Sequence, residues 1–136
     1  MSPDQKALVQ TSWRALGPKA DGVALIFYHR LFATTPATRT MFEHVDPASQ
    51  VKKLVGALNT VVNGLYEPES LAPALTAMGK RHASYGVEDQ HYDAVGEALL
   101  WTLDRVLGLE WTTELSLAWS KAYSTVADAM REAGRE

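Results

Sequence analysis

Three polar side chains interrupt apolar rows in this sequence, and they are the residues whose types can carry chemistry. Tyr28, Gln50 and His82 each sit in a row of apolar residues that recurs at the three- and four-residue spacing of a helix face. A buried polar group without a partner costs about 1–3 kcal/mol, so each of the three needs a partner. An imidazole can bind a metal, and an amide or a phenol hydroxyl can donate a hydrogen bond to a small ligand.

Each of these residues also has an ordinary structural explanation. A histidine on an apolar face is commonly a core residue whose ring is satisfied by hydrogen bonds. A helical tyrosine commonly donates to a backbone carbonyl, and a glutamine near a helix start can face water. The combination favours chemistry, because Gln50 and His82 lie 32 residues apart on consecutive predicted helices that can face each other across a slot. A nitrogen ligand on one side and a small polar pocket on the other is the arrangement that a haem requires.

Helices separated by proline and glycine must position these residues. No alternating strand pattern and no internal repeat is present. The unequal helix lengths and sharp corners predict an all-α fold other than a regular four-helix bundle, with one domain over residues 1–136. The predicted helices span about 3–16, 20–34, 36–42, 47–65, 70–84, 88–107 and 112–132.

The composition excludes several classes of function. The chain has 136 residues, 46% of them hydrophobic and 21% charged, as in an ordinary globular domain. Its 13 basic and 16 acidic residues form no basic stripe, so we expect no nucleic-acid partner. No apolar run is long enough for a membrane span, and the first residues do not resemble a signal peptide. The absence of cysteine excludes disulfides and thiolate sites, and we expect a cytoplasmic location.

Six segments, taken in order, make the chain resemble bacterial single-domain globins and the globin domain of flavohaemoglobins. They are 27–32 (FYHRLF), 36–42 (PATRTMF), 50–54 (QVKKL), 79–82 (GKRH), 92–100 (YDAVGEALL) and 118–123 (AWSKAY). The resemblance covers nearly the whole chain. It implies a globin fold of about seven helices around a haem pocket, with haem b (iron protoporphyrin IX) as the cofactor.

The resemblance implies a role for each of the three polar residues. His82 corresponds to the proximal ligand that binds the iron through a neutral imidazole. Tyr28 and Gln50 correspond to the distal residues that face a bound gas and would act in any reaction of that gas. We expect His44, next to Phe42, either to approach a haem propionate or to swing toward the iron in the ligand-free state, and His91 to lie either near the haem edge or in solvent.

Five further residues complete the expected haem site. By resemblance, Phe42 packs on the porphyrin, Leu54 forms an apolar wall over the iron, and Tyr92 reaches toward the proximal histidine. Lys53 and Arg81 flank the expected pocket. Each is either a partner for a haem propionate or a solvated surface charge.

The chain departs from flavohaemoglobins in two respects. The glutamate that engages the proximal histidine in that family corresponds by count to Gly134, while Glu132 and Glu136 are out of register. We therefore expect Tyr92 alone to orient the ring. The 136 residues contain no GxGxxG segment and no flavin domain, so we expect a separate reductase to supply any electrons.

Four functions agree with this sequence. The first is reversible, high-affinity binding of oxygen, for storage or transport. The second is a nitric oxide dioxygenase that converts nitric oxide and oxygen to nitrate with an external reductase. The third is a gas sensor, and the fourth is a protein that keeps the fold without haem. The expected partners are oxygen, nitric oxide or other small haem ligands.

Overall fold

The computed structural model describes all residues, Met1–Glu136, and contains helices but no β-strand. The all-α fold predicted from the sequence is confirmed. Short 3-10 turns at Gly17–Lys19, Gly64–Tyr66 and Gly108–Glu110 follow the first, fourth and sixth helices. The seven α-helices are α1 (Pro3–Leu16), α2 (Ala20–Thr34), α3 (Ala37–Met41), α4 (Pro47–Asn63), α5 (Pro68–Ser84), α6 (Asp89–Leu107) and α7 (Thr113–Gly134).

Side-chain caps determine where several helices begin. The Ser2 hydroxyl accepts a hydrogen bond from the Gln5 backbone N–H, and the Gln5 side chain accepts one from the Ser2 N–H. At the start of α4, the Asp46 carboxylate accepts from the Ser49 N–H at 3.1 Å. These bonds satisfy backbone donors that the first helical turn leaves free, so the helix starts are encoded locally.

The main core lies where α1, α2, α6 and α7 meet. Trp13 and Trp119 pack edge to face, with ring centroids 6.3 Å apart. The Trp119 indole N–H donates to the Ser12 hydroxyl at 2.9 Å, and the Trp13 indole N–H donates to Asn59 at 2.7 Å. Because both indoles are satisfied while buried, α1 is held against α7 and α4 without unpaired donors.

Helices α5 and α7 approach each other at backbone contact. Gly79 on α5 has no side chain, and a Cβ built there would collide with the carbonyl oxygen of Met130 on α7. A Cβ on Gly134 would lie 3.1 Å from the Cβ of Ala83. Small residues therefore allow the close crossing, which fixes the position of His82 on the next turn of α5.

No helix in the structure combines the length and the apolar character that crossing a lipid bilayer requires.

Candidate functional site

An apolar cavity opens among the helices, with walls contributed by α1 to α7. Of its 24 lining residues, 21 are hydrophobic. The remaining lining residues are Thr38, His82 and His91. A cavity with apolar walls and few polar groups is typical of a site for a large organic ligand.

The His82 ring is held by the backbone of its own helix. Its Nδ1 lies 2.7 Å from the carbonyl oxygen of Met78, one turn earlier on α5. Because a carbonyl can only accept, Nδ1 carries a proton, and in the neutral imidazole Nε2 is left with a free lone pair and no hydrogen-bond partner in the protein. A ring nitrogen held in this way by a carbonyl is the usual support of a metal-binding histidine.

Tyr92 stands beside His82 on the first turn of α6. The two rings lie nearly parallel, with centroids 6.3 Å apart and an interplanar angle of 23°. The Tyr123 hydroxyl donates to the Tyr92 backbone carbonyl. Burial raises the pKa of both tyrosines above the ordinary value, and the nearby positive charge of Arg131 opposes the rise. Both phenols are therefore neutral at physiological pH.

Tyr28 and Gln50 lie together, next to the cavity but outside its lining. The Tyr28 hydroxyl donates to the backbone carbonyl of Gln50 at 3.3 Å. Burial raises the pKa of Tyr28 to about 12, and the nearby Gln50 opposes the rise. The Tyr28 ring packs edge-on against Phe42, with centroids 5.5 Å apart, and Phe42 lines the cavity. The structure thus separates Tyr28 from the cavity by at most one layer of side chain.

The other residues proposed from the sequence divide into two groups. Phe42, Leu54 and Tyr92 line the cavity. Lys53 and Arg81 are exposed and are absent from its lining, and neither forms an ion pair. Their assignment to haem propionates stays a prediction.

The remaining histidines near the site differ in position. His91 lines the cavity, and its Nδ1 accepts a hydrogen bond from the Glu88 backbone N–H at 2.8 Å. The His44 side chain is 93% exposed and faces Glu43.

Sequence reasoning missed several residues of the cavity wall. Thr38 is buried on α3 and donates to the Thr35 carbonyl at 2.6 Å. A polar residue on a helix of five residues gives no periodic signal, so the sequence did not indicate it. Tyr123 was detectable, because it lies four residues after Trp119 on the same face of α7.

No carboxylate reaches His82 from the end of α7. Gly134 packs against Gly79 and Ala83 on α5. Glu132 pairs with Arg135 at 3.6 Å, and Glu136 pairs with Lys80 at 3.6 Å. That Tyr92 alone orients the ring stays a prediction.

The family described as Globin matches residues 25–130 of this chain. The chain belongs to the globin family. The match spans the segments that build the cavity from α2 to α7, including the positions of His82, Tyr28 and Gln50.

Several curated proteins are similar to this globin. The Flavohemoprotein of Bordetella parapertussis is 32% identical over 138 residues, which cover all of this chain and 34% of that protein. The Neuroglobin of Danio rerio is 30% identical over 143 residues, covering 96% of this chain and 90% of that protein. The Leghemoglobin of Medicago sativa is 29% identical over 140 residues, covering 96% of this chain and 95% of that protein. This chain therefore spans about a third of the flavohemoproteins that it matches and nearly all of the other two relatives.

The family and these relatives support a haem-binding globin. The site agrees with that cofactor, because apolar walls fit a porphyrin face and the free Nε2 of His82 fits its iron.

Proposed function

We propose that this globin holds haem b in the apolar cavity, with His82 as the residue that would bind its iron, and binds oxygen reversibly and with high affinity. The observation that carries the proposal is the hydrogen bond from His82 Nδ1 to the Met78 carbonyl, which leaves the Nε2 atom of the neutral imidazole free to bind a metal at an apolar wall. The haem supplies, when bound, an iron with a coordination position for a small gas. We place this function in one domain over residues 1–136, and a cytoplasmic location stays a prediction.

The protein's own residues prepare the proximal side of the site. The Met78 carbonyl holds His82 in the tautomer whose Nε2 can coordinate. The Tyr92 ring lies nearly parallel to the imidazole ring of His82 and restricts the rotation of that ring. Both interactions keep the imidazole oriented before any cofactor is present, which lowers the cost of ordering it on binding.

The apolar residues of the site exclude water. Leu54 and Phe42 line the cavity, and the Tyr28 ring packs against Phe42 without lining the cavity itself. Polar interactions are stronger in such a dry environment than in water. A hydrogen bond donated to a gas here would therefore slow the release of that gas.

Tyr28 and Gln50 are the proposed donors to the gas. The raised pKa of Tyr28, about 12, keeps its hydroxyl protonated at physiological pH. The hydroxyl donates to the Gln50 carbonyl in the absence of a ligand, so it must exchange this acceptor for the gas. The Gln50 amide, which is close to the hydroxyl, supplies a second donor.

Lys53 and Arg81 are the proposed partners of the haem propionates. Lys53 precedes the wall residue Leu54 in the chain, and Arg81 precedes His82, so each cation is one residue away from the cavity lining. Both are exposed and lack ion pairs, which leaves them available to a carboxylate.

The second candidate function is nitric oxide dioxygenation. The likeness to a flavohemoprotein over the whole of this chain favours it. In that reaction nitric oxide and oxygen combine with one electron to give nitrate, and we propose that a separate reductase supplies the electron. Nitrate that accumulates over many turnovers with an added reductase would support this function, and nitrate limited to a single turnover would support reversible binding. The gas-sensor alternative stays a prediction.

The experiment that tests the proposal compares two histidines of the same cavity. Haem is titrated into the protein and into the variants His82→Ala and His91→Ala, and the absorption spectrum is recorded. We expect the unaltered protein and His91→Ala to show a sharp band for a histidine-bound haem, and His82→Ala to lose it until free imidazole is added. An unaltered spectrum in His82→Ala would refute the proposed function.

A further inference from the structure

A partly buried arginine, Arg131, packs over the ring of the tyrosine that stands beside His82. The guanidinium carbon of Arg131, on α7, lies 5.2 Å from the centroid of the Tyr92 ring. The Arg131 side chain is only 18% exposed, although it ends among charged residues. A cation within about 6 Å of a ring face is attracted to the electrons of that ring. Arg131, Tyr92 and His82 therefore form a continuous series of contacts from the surface to the cavity wall.

Three acidic residues hold this guanidinium in place. One terminal nitrogen donates to the Asp93 carboxylate at 2.7 Å and to the Asp89 carbonyl at 3.2 Å. The other donates to the Asp128 carboxylate at 3.2 Å. The Nε atom is buried without a hydrogen-bond partner, 3.6 Å from the Asp89 carboxylate. A planar guanidinium that is hydrogen-bonded through both terminal nitrogens cannot tilt freely. The guanidinium therefore limits the tilt of the Tyr92 ring against which it packs.

We propose that Arg131 is a positioning residue that sets the orientation of the His82 imidazole through Tyr92. The proposal rests on the proposed function, in which His82 binds the haem iron. The hydrogen bond to Met78 fixes one atom of the imidazole, and a second contact is needed to fix the plane of the ring. Tyr92 supplies that contact, and no carboxylate from α7 substitutes for it.

Arg135 provides a matched control on the same helix. It joins the same acidic cluster through Asp89, at 3.3 Å, and Glu132, at 3.6 Å. Its side chain is 59% exposed, and it forms no contact with Tyr92. Replacing Arg135 removes a cation and its ion pairs from the acidic cluster but leaves the contact between the Arg131 guanidinium and the Tyr92 ring intact.

The test measures the iron–histidine stretching band of the ferrous, haem-loaded protein by resonance Raman spectroscopy. This band reports the orientation and strength of the histidine bond, which a change in overall stability does not move. We expect Arg131→Met to shift and broaden the band, and Arg135→Met to leave it unchanged. In a Tyr92→Leu background, Arg131→Met is expected to cause no further shift, because the intermediary is gone.

A second variant covers the case in which Arg131→Met fails to fold. Asp93 is exposed, so Asp93→Asn removes the shortest ion pair of Arg131 at little risk to the core. We expect a smaller shift in the same direction.

Two results would overturn the role of Arg131 while leaving the proposed function intact. One is an unchanged band in Arg131→Met, or in Asp93→Asn where Arg131→Met does not fold. The other is a shift of equal size in Arg135→Met or in the Tyr92→Leu background. Failure of the proposed function has a different signature, because the unaltered protein would then lack the band altogether and match His82→Ala.

Discussion

The hydroxyl of Tyr28 and the backbone carbonyl of Gln50 are joined by a 3.3 Å hydrogen bond that ties the middle of α2 to the first turn of α4. The Tyr28 hydroxyl thereby finds an acceptor 22 positions away in the chain, next to an apolar cavity. The acceptor is a backbone atom, so the bond does not depend on which side chain occupies position 50. This geometry makes the contributions of the two residues experimentally separable.

Tyr28→Phe is expected to release oxygen faster. The substitution removes a donor from a dry site, where a hydrogen bond to a partly charged acceptor is worth about 1.5–3 kcal/mol. That energy corresponds to a dissociation rate higher by a factor on the order of ten or more. The rate is measured by displacing oxygen with carbon monoxide in a stopped-flow instrument. Tyr85→Phe, at a side chain that is 72% exposed, serves as the control. Equal oxygen dissociation rates in the two variants would show that Tyr28 donates no hydrogen bond to the bound oxygen.

Gln50→Leu is expected to raise the oxygen dissociation rate less than Tyr28→Phe does. The leucine removes the amide donor but retains the backbone carbonyl that holds the Tyr28 hydroxyl. Residues in contact rarely act independently, so the double variant should show less than the product of the two separate effects. The same displacement experiment measures all three variants. Fully multiplicative effects would show that the two donors act separately on the gas.

The free energy of unfolding is expected to depend on the ionisation of Tyr28. Its pKa in the folded protein is about 12, against an ordinary value of 10.0 in the unfolded chain. The folded state therefore holds the proton more tightly, so this contribution is complete below pH 10.0 and is lost as the pH rises toward about 12. Urea midpoints measured across this interval should fall more steeply for the unaltered protein than for Tyr28→Phe. Identical slopes would contradict the buried, hydrogen-bonded environment of this phenol.

Gly79→Ala is expected to destabilise the fold. The added methyl group meets backbone atoms of Met130 on α7, which cannot move aside as a flexible side chain can. Overpacking of this kind costs about 1–3 kcal/mol. Gly56→Ala, inside α4 with open space around the new Cβ, should instead stabilise by about 0.5–1 kcal/mol. Urea unfolding measures both. A neutral Gly79→Ala would mean that α5 and α7 do not cross at backbone contact.

Local features of the sequence were sufficient to predict the helices. The caps at Ser2 and Asp46 and the prolines that follow them act over three or four residues, so they are legible in the chain itself. The predicted end of α4 at residue 65 was wrong by two residues, because its last turn tightens into the 3-10 turn Gly64–Tyr66. The prediction for α7 ended at 132, two residues before Gly134.

The sequence by itself also determined the candidates for chemistry and the family resemblance. A polar residue in an apolar row is visible without any knowledge of its spatial neighbours, and His82, Tyr28 and Gln50 are three such residues. Periodicity shows which face of a helix is buried, but it does not show which helix covers that face.

Only the tertiary structure decided the partners. It alone joined Tyr28 to a carbonyl of α4, brought Thr38 into the cavity wall, and laid Arg131 over Tyr92. The last pair is 39 positions apart in the chain and belongs to two helices that meet by packing. Such contacts depend on the angles at which helices cross, and these angles depend on how many side chains from several helices fit together. No short stretch of sequence determines that packing.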